Sequence, residues 1–110
     1  MSNLSDENRY NLLKLLDSQS ELTQRQIASK LGLSLGKVNY CLKSLSDVGL
    51  IKAIRFYKSP NKKAYLYILT PAGIEEKVRV TLRFLAKKQQ DYERLQLEID
   101  EIQKEAKKSK

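Results

Sequence analysis

Residues 34–43, Ser-Leu-Gly-Lys-Val-Asn-Tyr-Cys-Leu-Lys, set one amide, two ammonium groups and a phenol within ten positions. An Asn amide donates and accepts at once, so Asn39 could pair bidentately with adenine. Lys37 and Lys43 could donate to guanine O6 and N7, and Tyr40 could touch a thymine methyl or a phosphate. Gly36 would let a backbone come close. A second group, Lys58, Asn61, Lys62 and Lys63, brackets Ser59-Pro60 and suits polyanion backbone more than base edges. The only acid from Leu22 to Ile74 is Asp47, against nine Lys and Arg. Residues 1–21 carry two bases and four acids, and residues 75–110 carry ten and eight, so the whole-chain charge of +8 is concentrated in the middle segment. Such a field attracts polyphosphate and steers association.

Other chemistry is excluded by composition. With no His and a single Cys, the usual zinc sites, Ser-His-Asp and Cys-His constellations and an internal disulfide cannot be built. No glycine-rich phosphate loop is visible, so no enzyme activity, metal or cofactor is expected. There is no apolar run near the length of a membrane span and no charged-then-apolar leader, which points to a soluble, cytoplasmic chain without a membrane partner. At 110 residues it is one domain with, at most, an appended helix.

The elements that must carry these residues are written in their caps. Thr23 and Gln26 form an S/T-x-x-Q capping box. Ile27, Ala28 and Leu31 then share a helical face, Gly32 ends the helix in the left-handed region, and Leu33 plugs the corner. Ser34 caps a second helix spanning 35–48, with Val38, Leu42, Leu45 and Val48 at helical spacing before Gly49. Two helices joined by a glycine turn make a helix-turn-helix, whose second helix enters a major groove. At about 100° per residue, Leu42 and Leu45 fall near Val38 on the buried stripe. Gly36, Tyr40 and Lys43 fall opposite it, with Lys37 and Asn39 on the flanks. Tyr40 could alternatively be propped against the neighbouring helix. Thr23, Gln24 and Ser34 stand at helix starts, where amides and the dipole suit a phosphate.

Ser5 or Asp6 caps a first helix through about Ser18, with Tyr10, Leu12, Leu13, Leu15 and Leu16 available to a core. Ile51–Tyr57 and Ala64–Leu69 read as strands flanking a basic turn at Lys58–Lys63. A hairpin after a helix-turn-helix is a winged helix, with the wing tip at 58–63. Thr70 and Pro71 then open a helix reaching about Lys107. Along it Val78, Leu85, Tyr92, Ile99 and Ala106 recur every seventh residue, with Ile74, Thr81, Lys88, Leu95 and Ile102 as the second seam. Leu82 and Phe84 widen the stripe where the helix is expected to pack on its own domain. The distal seam has no intramolecular cover, so Val78, Leu85, Tyr92, Leu95, Ile99 and Ile102 are expected to form a homodimer interface. The alternative is a frayed, solvated tail broken at Lys87–Gln90. The division expected is a winged helix-turn-helix domain over 1–73 and a helical coiled-coil segment over 74–110, with Lys107–Lys110 disordered. The fold class is mainly α with a small β-hairpin.

The helix-turn-helix of Leu22–Leu45, with Gly49-Leu50-Ile51 and Leu69-Thr70-Pro71-Ala72-Gly73, resembles MarR-family winged-helix transcriptional regulators. The last run is similar to that family's L-T-x-x-G after the wing. The resemblance implies a dimeric regulator, in the first instance a repressor, that reads an inverted repeat in double-stranded DNA. Two departures stand out. The family's Asp-x-Arg at the wing tip is Asn61-Lys62-Lys63 here, so the charge is kept without the bracing ion pair. The chain also lacks the extra helices that form a small-molecule pocket in longer members, so an effector is left open. The short form with one long helix is similar to MarR-type regulators associated with exopolysaccharide gene clusters. Redox sensing occurs in the family, but Cys41, on the buried margin of its helix with no cation clearly activating it, reads as a core residue. A second class of function stays open: a winged-helix scaffold that binds protein, its long helix recruiting a different chain. Lysines on both the second helix and the wing favour DNA.

Overall fold

The computed structural model describes residues 5–59 and 62–109, with the backbone alone for 56–59 and 62–64. The elements in chain order are α1 (Asp6–Ser18), α2 (Gln24–Leu31), α3 (Leu35–Asp47), β1 (Ile51–Ser59), β2 (Lys62–Leu69) and α4 (Pro71–Lys108). Each helix starts on a hydroxyl that satisfies an otherwise orphaned amide. Ser5 Oγ accepts from Asn8 N–H at 3.1 Å and Ser34 Oγ from Lys37 N–H at 3.1 Å. The capping box at α2 is complete: Gln26 N–H donates to Thr23 Oγ1 at 3.1 Å, and Thr23 N–H to Gln26 Oε1 at 2.8 Å. Gly32 ends α2 at φ 67°, and Leu33 N–H then donates back to Ala28 O at 3.0 Å.

The three short helices and the root of the hairpin close on one core. It is built from Leu12, Leu13 and Leu16 of α1, Ile27 and Ala28 of α2, Val38, Cys41, Leu42 and Leu45 of α3, and Leu50, Ile51 and Tyr67. The α3 stripe runs as its period requires up to Leu45 and then stops. Val48, expected to extend it, is instead 61% exposed. It is the C-cap residue, with φ −94° and ψ 8°, and the chain turns off the helix there toward Gly49 at φ 77°.

β1 and β2 pair antiparallel, from Ile51 opposite Leu69 to Ser59 opposite Lys62, with a bulge between Tyr57 and Ser59. The strands therefore run two residues further into the expected turn on each side than β-propensity indicates. The ladder pairs Tyr57 with Lys63 and Ser59 with Lys62 whatever their side chains prefer, and Lys58 is taken up in the bulge. The hairpin is tied back at its root: Tyr67 N–H donates to Ser20 O at 3.1 Å in the α1–α2 turn.

Thr70 joins hairpin to helix. Its hydroxyl donates to Gly49 O at 2.6 Å and accepts from Gly73 N–H at 3.1 Å, and its own N–H donates to Leu50 O at 3.1 Å. Gly73 is pressed so close that a Cβ there would lie 1.9 Å from the Leu50 carbonyl oxygen. α4 packs on α1 through fully buried Val80 and through Phe84, whose ring stacks on Tyr10 at 4.7 Å between centroids. Ion pairs edge this contact, Lys77 to Asp17 at 2.7 Å and Arg83 to Asp6 at 3.3 Å. Exposed pairs of this kind contribute about 0–1 kcal/mol each, so they orient α4 more than they hold it. Glu76 is buried between Arg9, which donates to it, and Arg79, whose Nε lies 3.2 Å away. Burial pushes its carboxyl up, but the hydrogen bonds from Arg9 and Arg79 and the charges of Arg9 and Arg83 outweigh that and hold it below the ordinary value.

α4 then continues without interruption through Lys87–Gln90 and through Lys107 and Lys108, two of the residues expected to be disordered, with Ser109 as its cap. Leu82, expected to face the domain, is 61% exposed. Nine residues beyond Gly73, it stands about two and a half turns on, on the far side of the helix from the α1 contact.

Candidate nucleic-acid interface

The outer face of α3 is where its periodicity puts it. Gly36, Asn39, Tyr40 and Lys43 are exposed and Lys37 is half-buried. Lys37 extends its ammonium over the Tyr40 ring, 5.5 Å from the centroid. That cation–π contact holds a donor and an aromatic edge side by side on the surface. Tyr40 is thus propped by a neighbour one turn earlier on its own helix, and the whole face stands as a set of candidate DNA contacts.

Thr23 and Ser34 are exposed, but their hydroxyls are committed as caps. Any anion at these helix starts would meet backbone N–H groups, not the side chains. Gln24 is committed in another way. Its Nε2 donates to the Tyr67 hydroxyl at 3.2 Å, and its Oε1 accepts from Asn39 Nδ2 at 3.3 Å. These three residues edge a cavity of about 260 Å³ between α3 and the hairpin, into which Lys43 and Asp47 also face. Sequence alone does not single out Tyr67. It looks like one more strand aromatic, and only the fold brings β2 beside the start of α2.

On the wing, Asn61 lies outside the described residues, as do the side chains of Lys58, Lys62 and Lys63. The hairpin nonetheless adds a described cation that its sequence context does not mark. Arg55 lies directly across the ladder from Tyr65, donates to its hydroxyl from Nη2 at 2.8 Å and stacks on its ring at 5.5 Å. An Arg braced in this way keeps its remaining N–H groups for a phosphate.

Cys41 is fully buried, and burial pushes its thiol up against a smaller opposing pull from Lys37. It packs as a core side chain. Among the described residues there is no cluster of His, Cys, Asp or Glu that could hold a metal, and no helix long and apolar enough to cross a membrane.

The residues expected to form a dimer seam stand exposed along α4. They are Val78, Leu85, Tyr92, Leu95, Ile99 and Ile102, with Tyr92 the most open at 68%. Ile74 and Val78 also line a shallow apolar cleft of about 240 Å³ beside Asp17.

Residues 5–52 match a family model described as winged helix-turn-helix DNA-binding. No curated protein sequence matches the chain. Among solved structures it is similar to the PcaV transcriptional regulator from Streptomyces coelicolor (23% identity, TM-score 0.67, covering 80% of this chain and 61% of that one). It is similar also to S. aureus MepR in a complex with DNA (25%, 0.66, 84% and 66%). A third is a MarR-family transcriptional regulator from Rhodococcus sp. RHA1 (22%, 0.61, 76% and 58%). The chain spans between 58% and 66% of the length of these proteins. The family match over residues 5–52 and the solved structures agree in fold with what the residues build here: the chain has a winged helix-turn-helix fold, similar to that of MarR-family transcriptional regulators.

Proposed function

We propose that this protein is a sequence-specific, double-stranded DNA-binding transcriptional regulator, in the first instance a repressor, that acts as a homodimer. The observation that carries the reading is the outer face of α3. It presents an amide, two lysines and a tyrosine around an exposed glycine on a helix locked from behind by Val38, Cys41, Leu42 and Leu45. Base readout needs such polar groups on a rigid element. MepR, which shares this fold, has been solved with DNA. Asn39, Tyr40 and Lys43 would meet base edges, with Lys37 at the flank. The helix starts at Thr23, Gln24 and Ser34 and the wing at Lys58, Asn61, Lys62 and Lys63 would hold phosphates.

Two copies would join along α4. A solvent-exposed row of Val, Leu, Tyr and Ile on one helix costs hydration free energy that a second copy of the same row removes. Each large apolar side chain fully covered contributes about 1.5–3 kcal/mol. A strict seven-residue repeat also drifts by about 20° per heptad on a straight helix, which a left-handed supercoil with a partner corrects. The division into a reading domain and a dimerisation segment follows from this.

Selection of bound duplexes from a random pool, at stated salt, tests the reading. Wild-type protein is expected to enrich an inverted repeat, and Asn39→Ala to lose preference at one position of each half-site. A wild-type pool with no enriched motif would remove the regulator reading in favour of a protein-binding winged helix.

A further inference from the structure

We propose that Thr70 is a specificity-determining positioning residue: its hydroxyl ties the start of α4 to the end of α3 and so sets the half-site spacing a dimer accepts. The inference rests on the DNA-reading role of α3 and the pairing of α4 argued above. Thr70 stands between β2 and α4, while Gly49 and Leu50 stand between α3 and β1. These two connections meet in space. Thr70 Oγ1 donates to Gly49 O at 2.6 Å, and Thr70 N–H donates to Leu50 O at 3.1 Å. Both acceptors belong to residues that are themselves bonded back to the last turn of α3. Gly49 N–H donates to Ser46 O at 3.0 Å and Leu50 N–H to Leu45 O at 2.9 Å.

The direction of each bond is forced. A carbonyl oxygen only accepts and a backbone N–H only donates. The one hydroxyl proton is therefore spent on Gly49 O, and a lone pair takes the Gly73 N–H at 3.1 Å. A single oxygen thus caps α4 and binds it to the turn that ends α3. Gly73 lets the backbones come this close, since a Cβ there would lie 1.9 Å from Leu50 O. Two routes connect α4 to the reading helix. One passes through α1 by side-chain packing at Val80 and Phe84, the kind of contact over which helices slide by small amounts. The other is the Thr70 joint, with no other element in between. In a dimer paired along α4, a pivot at this joint swings α3 relative to the two-fold axis. One base pair of spacing moves a half-site by about 3.4 Å and turns it by about 35°. A small pivot is enough to admit a wrong spacing.

Three substitutions separate the joint from helix capping. Thr70→Asp keeps an acceptor for Gly73 N–H and a good N-cap. Its carboxylate cannot donate, however, and cannot rest where the hydroxyl does, 2.6 Å from a carbonyl oxygen. Thr70→Val loses both side-chain bonds, and Thr70→Ser keeps both. Each full-length protein is measured on the selected inverted repeat and on the same half-sites moved one base pair closer and one further apart. The readout is the affinity ratio between spacings within one protein, so uniform weakening by the Asp charge cancels. Wild type and Thr70→Ser are expected to lose on the order of tenfold at either wrong spacing, and Thr70→Asp and Thr70→Val less than about threefold. Both broadened variants should still sediment as dimers and select the same half-site. A wild-type ratio in Thr70→Asp or Thr70→Val overturns the joint and leaves Thr70 a helix cap. A broadened ratio in Thr70→Ser overturns it as well. Should Thr70→Val fail to fold, Thr70→Asp, with its cap intact, still decides. Wild-type protein that binds all three spacings alike overturns the rigid dimer and this inference with it. A wild-type pool without any motif overturns the DNA-reading role instead.

Discussion

Gly73 carries no side chain because the Leu50 carbonyl oxygen already occupies the place where one would begin. Helix propensity alone would make Gly73→Ala stabilising by about 1 kcal/mol. The clash reverses the sign, and a loss of about 1–3 kcal/mol is expected, seen as a lower thermal midpoint. A raised midpoint would mean α4 can shift away from Leu50 at no cost. Glu76 gives the second residue-scale test. Its folded-state pKa is depressed from the ordinary 4.5, because the hydrogen bonds from Arg9 and Arg79 outweigh the upward push of burial. A depressed carboxylate contributes stability that is present above its unfolded value and lost as pH falls through the folded one. Glu76→Gln should therefore be less stable than wild type at pH 7, by about 1–3 kcal/mol. That gap should close as pH drops below about 4.5. A gap independent of pH would assign the loss to packing. The thiol of Cys41, fully buried, should react with a thiol reagent only as fast as the protein opens. Rapid labelling of native protein would contradict its place in the core.

At the scale of elements, what is legible in the sequence is what depends on neighbours in the chain. The caps at Ser5, Thr23, Ser34 and Thr70, the turn at Gly32 and the α3 stripe through Leu45 follow from spacings of three and four residues, and each stands where it is expected. Contacts between distant segments are not legible. Nothing local marks Phe84 as the partner of Tyr10, Glu76 as the partner of Arg9, or Tyr67 as the anchor of Gln24. Val48 and Leu82 depart from expectation for a related reason: periodicity continues a stripe past the point where the helix ends or its packing face has rotated away. On α4, paired Leu95→Glu and Ile99→Glu substitutions remove apolar seam without touching the domain contact at Val80 and Phe84. Sedimentation is expected to show a dimer become a monomer with the domain's melting unchanged. A variant that stays dimeric would place the interface elsewhere. On the wing, Lys62→Ala with Lys63→Ala should weaken all duplexes alike and lower the salt slope of log K by roughly 0.9 for each phosphate no longer neutralised. An unchanged slope would take the wing off the backbone.

The whole molecule is 73 Å long and about 27 by 25 Å across, and α4, with 38 residues, is about 57 Å long at 1.5 Å per residue. The described contacts of α4 with α1 lie in its first turns, around Glu76, Val80 and Phe84, and beyond Phe84 nearly all of its described residues are exposed. A second copy along the seam would give the pair a two-fold axis and place two α3 helices at a fixed separation. The target would then be an inverted repeat with half-site centres about one helical turn, roughly 10 base pairs, apart. Insertion of extra base pairs between the selected half-sites measures this coupling directly. About five added base pairs turn one half-site half a turn around the duplex, out of reach of a rigid dimer. The expected result is an affinity no better than that of a duplex with a single half-site. Affinity that survives the insertion would contradict a dimer that reads both half-sites through a rigid α4.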